Sequence, residues 1–205
     1  MLVIRLTCSQ PAGLTFRVAL DGDEQPYMIH SEGTDTLLMD NFARETQHSN
    51  GQVGVVGHAQ LYIRTDGGQV TALANQLSIS QADSATIFLA MATSFNGNDP
   101  VEQCQKQIKA ASSLPYALLR TQHVAEHQYW FRRASLDLGP NPHPDWTLDQ
   151  RIEAVRQGEN DPHLCALLFQ FGRYLLIGSS RPDSPLPAHL TEKRTDSRCR
   201  AATVT

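Results

Sequence analysis

The hydrophobic period of this chain changes once, at 96-NGNDP-100, and that change decides what the chain can fold into. Up to Phe95 apolar residues recur at every second position, the spacing of a strand; beyond Pro100 they recur at helical spacing. Interleaved strands and helices, which a βαβ sheet needs, are therefore excluded. An antiparallel β-sandwich over residues 1–96, followed by a helical part, is expected.

The clearest strand is 53-VGVVGHAQLYIR-64. Val55, Gly57, Ala59, Leu61 and Ile63 share one face, while His58, Gln60, Tyr62 and Arg64 share the other, the alternation of a half-buried antiparallel strand. Asp66-Gly67-Gly68 then reads as a hairpin turn, because glycine accepts the positive φ such turns need. It leads into a single strand over 69–80 with Leu73, Leu77 and Ile79 on one face. Segments 2–9 and 14–21 read as strands joined by the hairpin-like turn Gln10-Pro11-Ala12-Gly13, and 36–42 as another strand. The segment 85-ATIFLAMATSF-95 is apolar on both faces, which places it centrally in a sheet. The run 49-SNGQVGVVGH-58 leads into a strand, so its glycines read as turn and close-packing residues and not as a phosphate cradle, which needs a helix N-terminus.

Residues 101–112 and 115–135 have helical composition, with Arg132 and Arg133 suited to a helix C-terminus. Pro140, Pro142 and Pro144 make 139–146 an extended linker. Thr147 is placed to cap a short helix ending near Gln157 and Gly158, and Asp161-Pro162 to open the next one. From Leu164 to Ile177 that next helix is apolar around nearly its whole circumference, and a helix of this kind must be enclosed by neighbours on every side. Only 28 residues follow Ile177, and none reads as a packing helix. Residues 161–190 thus read as the opening element of a larger helical domain, with Arg173 expected to find its carboxylate or carbonyl partner outside this chain. Uncovered, the apolar face is expected to make the chain aggregate or seek a partner. Residues 191–205 carry no pattern and are expected to be disordered.

Composition is that of an ordinary globular protein, 40% hydrophobic and 19% charged. A net charge of -4 with no basic cluster outside the tail argues against a nucleic-acid partner. No apolar run approaches the ~20 residues that span a bilayer. Cys8, Cys104, Cys165 and Cys199 are widely separated and read as independent, mostly buried thiols, neither a disulfide frame nor a zinc knuckle.

The sharpest local motif is 123-HVAEH-127, in which His123 and His127 one helical turn apart would bind zinc and Glu126 would act as base. Beside it stands the bland reading of a solvated polar helix face, which a five-residue match favours. Glu45, Asp83, Glu126 and Asp137 qualify as glycosidase carboxylates only by being acidic, and nothing in their spacing opposes two of them. Tyr129-Trp130-Phe131 suits either a sugar platform or, more in keeping with large aromatics, an interface core.

The phrases 86-TIFLAMATSFN-96, 123-HVAEHQYWFRRASLDLG-139 and 169-FQFGRYLLIGSSRP-182, in this order, resemble glycoside hydrolase family 95, chiefly α-L-fucosidases. The resemblance covers residues 1 to about 190. It implies the later part of an N-terminal β-sandwich over 1–96, a helical linker over 97–160, and over 161–190 the first helix of an (α/α)6 catalytic barrel that is otherwise missing. It implies inverting hydrolysis of terminal α-linked L-fucose or L-galactose on a glycan, with no cofactor and no metal. The catalytic residues are implied beyond residue 190, so none is assigned a position here. Met1 leads into a strand-like LVIRLTCS without features of a secretory leader, but the likeness implies a start inside a domain, which leaves the compartment open.

After 187-PAHL-190 the family pattern would continue into Gln-Gly-x-Trp-Asn, where this chain has 191-TEKR-194. So abrupt a departure is the signature of a shifted reading frame or a misjoined exon, and one of the other two frames is expected to encode that continuation. Three readings result: a part of such a hydrolase, inactive by itself; a non-catalytic glycan-binding sandwich; and a zinc hydrolase built on His123, Glu126 and His127.

Overall fold

The computed structural model describes residues 1–22, 26–44 and 53–180, which fall into two compact units, 1–119 and 120–180. The first holds eight antiparallel strands: β1 Leu2–Thr7, β2 Leu14–Ala19, β3 Tyr27–Glu32, β4 Thr36–Arg44, β5 Val53–Asp66, β6 Gln69–Leu73, β7 Gln76–Ala82 and β8 Ser84–Thr93. They form a five-stranded sheet, β1-β8-β5-β4-β3, and a three-stranded sheet, β2-β7-β6. Phe16, Val18, Leu77 and Ile79 from the small sheet meet Leu37, Leu61, Ile63, Ala85 and Ile87 from the large one in a single buried core, the sandwich that the alternation implies.

Two turns read as hairpins are corners instead. β1 pairs with β8 and β2 with β7, so Gln10-Pro11-Ala12-Gly13 carries the chain from one sheet to the other. Asp66-Gly67-Gly68 does the same, since β5 pairs with β4 and β8 while β6 pairs with β7. Positive φ marks a tight turn but does not say whether the next strand pairs back or crosses over. At Gly68 (φ +67°) a Cβ would also stand 2.3 Å from the Ser80 carbonyl oxygen, so the corner needs glycine for space as well as angle.

The corners are tied at one end of the sandwich. Asp83 accepts from the Ala12 amide at 2.7 Å, and Asp66 accepts from Ser84 Oγ at 2.7 Å and from Arg5 at 3.1 Å. Those bonds, Ser84 first and then Arg5, hold the Asp66 carboxyl below the usual carboxylate range.

The span 69–80 is two strands, broken at Ala74 in left-handed backbone (φ +52°); the break shifts the inward face from Val70 and Ala72 in β6 to Leu77 and Ile79 in β7, so Leu73, expected on the face of Leu77 and Ile79, is exposed instead. β3 is a short edge strand of mixed polarity (YMIHSE) that the sequence does not announce. β8 lies between β1 and β5 as its two apolar faces require.

The polar-looking face of β5 is covered too. Helix α1, Pro100–Ser112, is started by Asp99, whose side chain accepts from the Val101 and Glu102 amides, and lays Cys104, Ile108 and Ala111 onto Phe88 and Ala90. His58 and Gln60 of β5 are buried on this outer face as well. Arg64 stacks over Phe88 at 5.5 Å and donates to the carbonyls of Ser112 and Leu114 (3.4 Å to the latter), capping α1 from the sheet.

The remaining helices are α2 Tyr116–Phe131, α3 Leu148–Arg156 and α4 Pro162–Ser179. α2 stops at Phe131, short of the expected Ser135, and the proline-rich stretch that follows is irregular. Thr147 and Gln150 form a reciprocal capping box for α3, and Asp161 with Pro162 opens α4. Among the described residues no helix is long and apolar enough to cross a membrane.

Candidate functional site

The helical unit is organised by two arginines. Arg151 of α3 and Asp161 form a bidentate pair, Nε to Oδ2 at 2.8 Å and Nη2 to Oδ1 at 2.9 Å, with 5% and 4% of each residue exposed. Asp161 Oδ1 also accepts from the Leu164 amide at 2.9 Å, so one carboxylate caps α4 and binds it to α3. Arg151 Nη2 also lies 3.1 Å from His163 Nδ1. The Arg151 hydrogen bonds hold the Asp161 carboxyl below the usual carboxylate range against its burial, and Asp161 raises the Arg151 guanidinium in return. Nothing in the sequence separates Arg151 from the solvated arginines of α3; only the N-cap role of Asp161 was legible.

The second arginine is Arg173 of α4, whose partners lie in this chain and not outside it as expected. It donates to the carbonyls of Phe131 (2.8 Å), Ala134 (2.5 Å) and Trp130 (3.3 Å) and to Gln170 Oε1 (2.7 Å). It therefore binds carbonyls at and just past the end of α2, the place where a cation meets the negative end of the helix dipole. The sequence points to Arg132 and Arg133 for that task, but both follow the helix. Arg133 stacks instead over Tyr129 and Trp130 at 5.9 and 5.3 Å.

The HVAEH residues serve packing. His127 stacks on Phe131 at 5.4 Å and meets Tyr174 at 5.8 Å, while the His123 and His127 rings stand 6.5 Å apart. Glu126 accepts from Trp130 Nε1 at 3.1 Å. Among the described residues no three His, Cys, Asp or Glu side chains gather as a metal site would require. Of the aromatic cluster, Tyr129 is 63% exposed and Trp130 and Phe131 are half-buried, with Arg133 over Tyr129 and Trp130 and Arg173 over Phe131. Asp83 ties a sheet corner, Asp137 accepts from the Gly139 amide at 2.9 Å, and Glu45 lies outside the described residues. Among the described residues Asp83, Glu126 and Asp137 are each engaged at a separate place in the fold.

The cysteines are less buried than expected. Cys8 and Cys165 are exposed and Cys104 is buried, with Cys199 outside the described residues. Burial pushes the Cys104 thiol up. Iodoacetamide is expected to modify Cys8 and Cys165 readily in the native chain and Cys104 only after denaturation, read by peptide mass spectrometry.

α4 carries the feature with the widest consequence. Leu164 and Ala166 are buried, but Leu167, Leu168, Phe169, Phe171, Tyr174, Leu175 and Leu176 are each between 43% and 55% exposed. A soluble helix does not normally present so broad an apolar surface unless another element is meant to cover it.

Comparison with known proteins matches both units. Residues 1–98 match the family model "Glycosyl hydrolase family 65, N-terminal domain", and residues 115–193 match "Glycosyl hydrolase family 95 catalytic domain". Alpha-L-fucosidase 2 of Arabidopsis thaliana is 29% identical over 212 residues, covering 89% of this chain. The chain is similar to glycoside hydrolase family 95 proteins. Two further relatives are fungal: Probable alpha-fucosidase A of Aspergillus niger, 35% identical over 51% of the chain, and that of Aspergillus oryzae, 35% identical over 47%. The chain spans 25% of the Arabidopsis protein's length and 13% and 14% of the fungal ones. The family 95 match reaches Lys193, just past the place after Leu190 where the sequence departs from the expected pattern.

Proposed function

We propose that this chain is the sandwich, linker and first barrel helix of an α-L-fucosidase-type glycoside hydrolase, in which residues 161–190 begin the catalytic (α/α)6 barrel. The observation that carries the reading is the alignment of a protein named alpha-L-fucosidase across both units, 89% of the chain. The open apolar face of α4 supports it, because a barrel helix is enclosed by its neighbours. The whole enzyme would invert the anomeric centre of a terminal α-linked L-fucose or L-galactose, one carboxylic acid protonating the leaving oxygen while a base activates water on the other face. The acid and base would come from barrel elements outside residues 1–190. The described carboxylates fit this, since Asp83, Glu126 and Asp137 are each engaged locally.

The chain by itself is expected to release no aryl group from an aryl α-L-fucoside or α-L-galactoside above the buffer rate, with an active family member as positive control. Turnover by the purified chain would overturn the assignment of catalysis to elements outside it. Retention of a fucosylated glycan without turnover is expected only if the β unit carries a sugar site of its own.

A further inference from the structure

The two sheets of the sandwich are unequal, and the large one is left partly uncovered. β1 and β3 form its two edges. β2 starts beside the corner that follows β1, pairing Leu14 with Ala82, and its continuation ends at Asp21, which accepts from the Tyr27 hydroxyl of β3 at 3.0 Å. β2 therefore crosses the large sheet obliquely, from one edge to the other. On the side where β7 and β6 lie, Leu37, Leu61, Ile63, Ala85 and Ile87 are buried. On the other side the same face is open. Ile4 pairs with the core residue Ile87 and Leu2 with Leu89, and Met91 follows Leu89 at the strand period, so all three point toward the small sheet. Yet Ile4, Leu2 and Met91 are 40%, 52% and 68% exposed. Beside Met91 an apolar trough of about 520 Å³ runs up to the end of β2, lined by Leu20, Met39, Ala59, Leu89 and Met91.

The strand that bounds this open face is itself unfinished. Among the described residues β2 pairs with β7 alone, which leaves the amides and carbonyls of its other edge facing the open side. A free edge next to an uncovered apolar face is the arrangement that takes up an added strand. The edge supplies main-chain hydrogen bonds, and the face supplies contacts for alternate side chains. A small molecule in the trough would leave the edge of β2 unpaired and Leu2 and Ile4 uncovered.

We infer that this side of the sandwich binds an extended segment that pairs with the free edge of β2 and sets apolar side chains, at every second position, on Leu2, Ile4, Leu89 and Met91. The occupant is a segment of the larger hydrolase outside this chain, so the inference rests on the reading of the chain as part of that protein. The chain spans 25% of the Arabidopsis relative's length, which leaves ample polypeptide to supply such a segment.

Fluorescence polarisation of a labelled peptide of alternating valine and threonine, with lysine at each end, tests the site on the full chain. Saturable binding is expected. Hydrogen exchange in the same mixture is expected to slow in residues 14–19 but not in β3 or β6, which also lie at sheet edges. Met91→Lys puts a charge into the trough at a residue that is already exposed, and is expected to weaken binding at least about tenfold with the thermal melt unchanged. Absence of saturable binding, or binding that Met91→Lys leaves undiminished, would overturn the site, as would slowing at β3 or β6 in place of β2. Slowing in 14–19 that grows with protein concentration and needs no peptide would give the face to a second copy of the chain and overturn the choice of occupant. The measurement reads the β unit alone, so its failure leaves the hydrolase reading to the aryl-glycoside assay.

Discussion

Phe88→Ala is expected to destabilise the first unit by about 3–5 kcal/mol, the range for removing a buried aromatic from a close-packed core. Phe88 is fully buried, stacks on Tyr62, lies under Arg64, and belongs to the cluster in which β8 meets Cys104 and Ile108 of α1. Removing the ring opens a cavity between sheet and helix and takes away the surface on which the α1-capping guanidinium of Arg64 rests. Loss of this size is a large part of the stability of a small domain. Hydrogen exchange read by mass spectrometry on peptides from β5 and β8 is the suitable probe, since Trp130 and Trp146 both lie in the other unit. Near-wild-type protection in those peptides would show that α1 is only loosely applied to the sheet.

In the helical unit the most damaging single change is expected at Arg151. Arg151→Met leaves the Asp161 carboxylate buried against α4 with its guanidinium partner gone, and unpaired buried charge is among the costliest defects a fold can carry. A fall of roughly ten degrees or more in the melting temperature of this unit is expected, followed by the fluorescence of Trp146, which stacks on His143 at 3.7 Å. Asp161→Asn keeps the cap on α4 but leaves the buried Arg151 guanidinium without its carboxylate, so it is expected to destabilise this unit as well.

The pair also sets a pH dependence. Arg151 lowers the folded-state pKa of Asp161, so the unfolded chain takes up the proton first as pH falls. The stabilisation is present in full above the ordinary aspartate value near 4 and is lost as pH drops through the lower folded value. The melting temperature of the native chain is therefore expected to fall more steeply below about pH 4 than that of Asp161→Asn. Equal slopes would show that the pair contributes nothing through charge.

Much of this was legible because it follows from one residue and its neighbours in sequence. Asp99, Thr147 and Asp161 announce helix starts, and the two-faced apolarity of Thr86 to Ala92 announces a central strand. What stayed hidden depends on partners distant in the chain. Arg64 and Arg173 both terminate helices they do not belong to, and the carbonyls they take up carry no sequence signature. His58 and Gln60 look like a solvated face until α1 covers them. The corners at Ala12 and Gly68 match hairpin turns in composition, because backbone angle, and not strand destination, selects the residues there. The HVAEH motif is the complementary case: its spacing suits zinc, while the packing of His127 against Phe131 and Tyr174 and the bond from Trp130 to Glu126 cannot be read from spacing.

Everything functional turns on α4 being a core helix shown with its face open, since that places the chemistry of the family on elements that would cover it. Leu168→Glu and Leu175→Glu alter residues 54% and 51% exposed and are expected to leave the fold of this chain intact while weakening self-association. The most direct test is sedimentation velocity of the purified chain over a range of micromolar concentrations. Concentration-dependent association well beyond the 22.7 kDa of one chain is expected, reduced by the two glutamate substitutions. A single 22.7 kDa species at every concentration, melting sharply and cooperatively, would contradict the assignment of α4 as the first helix of a barrel.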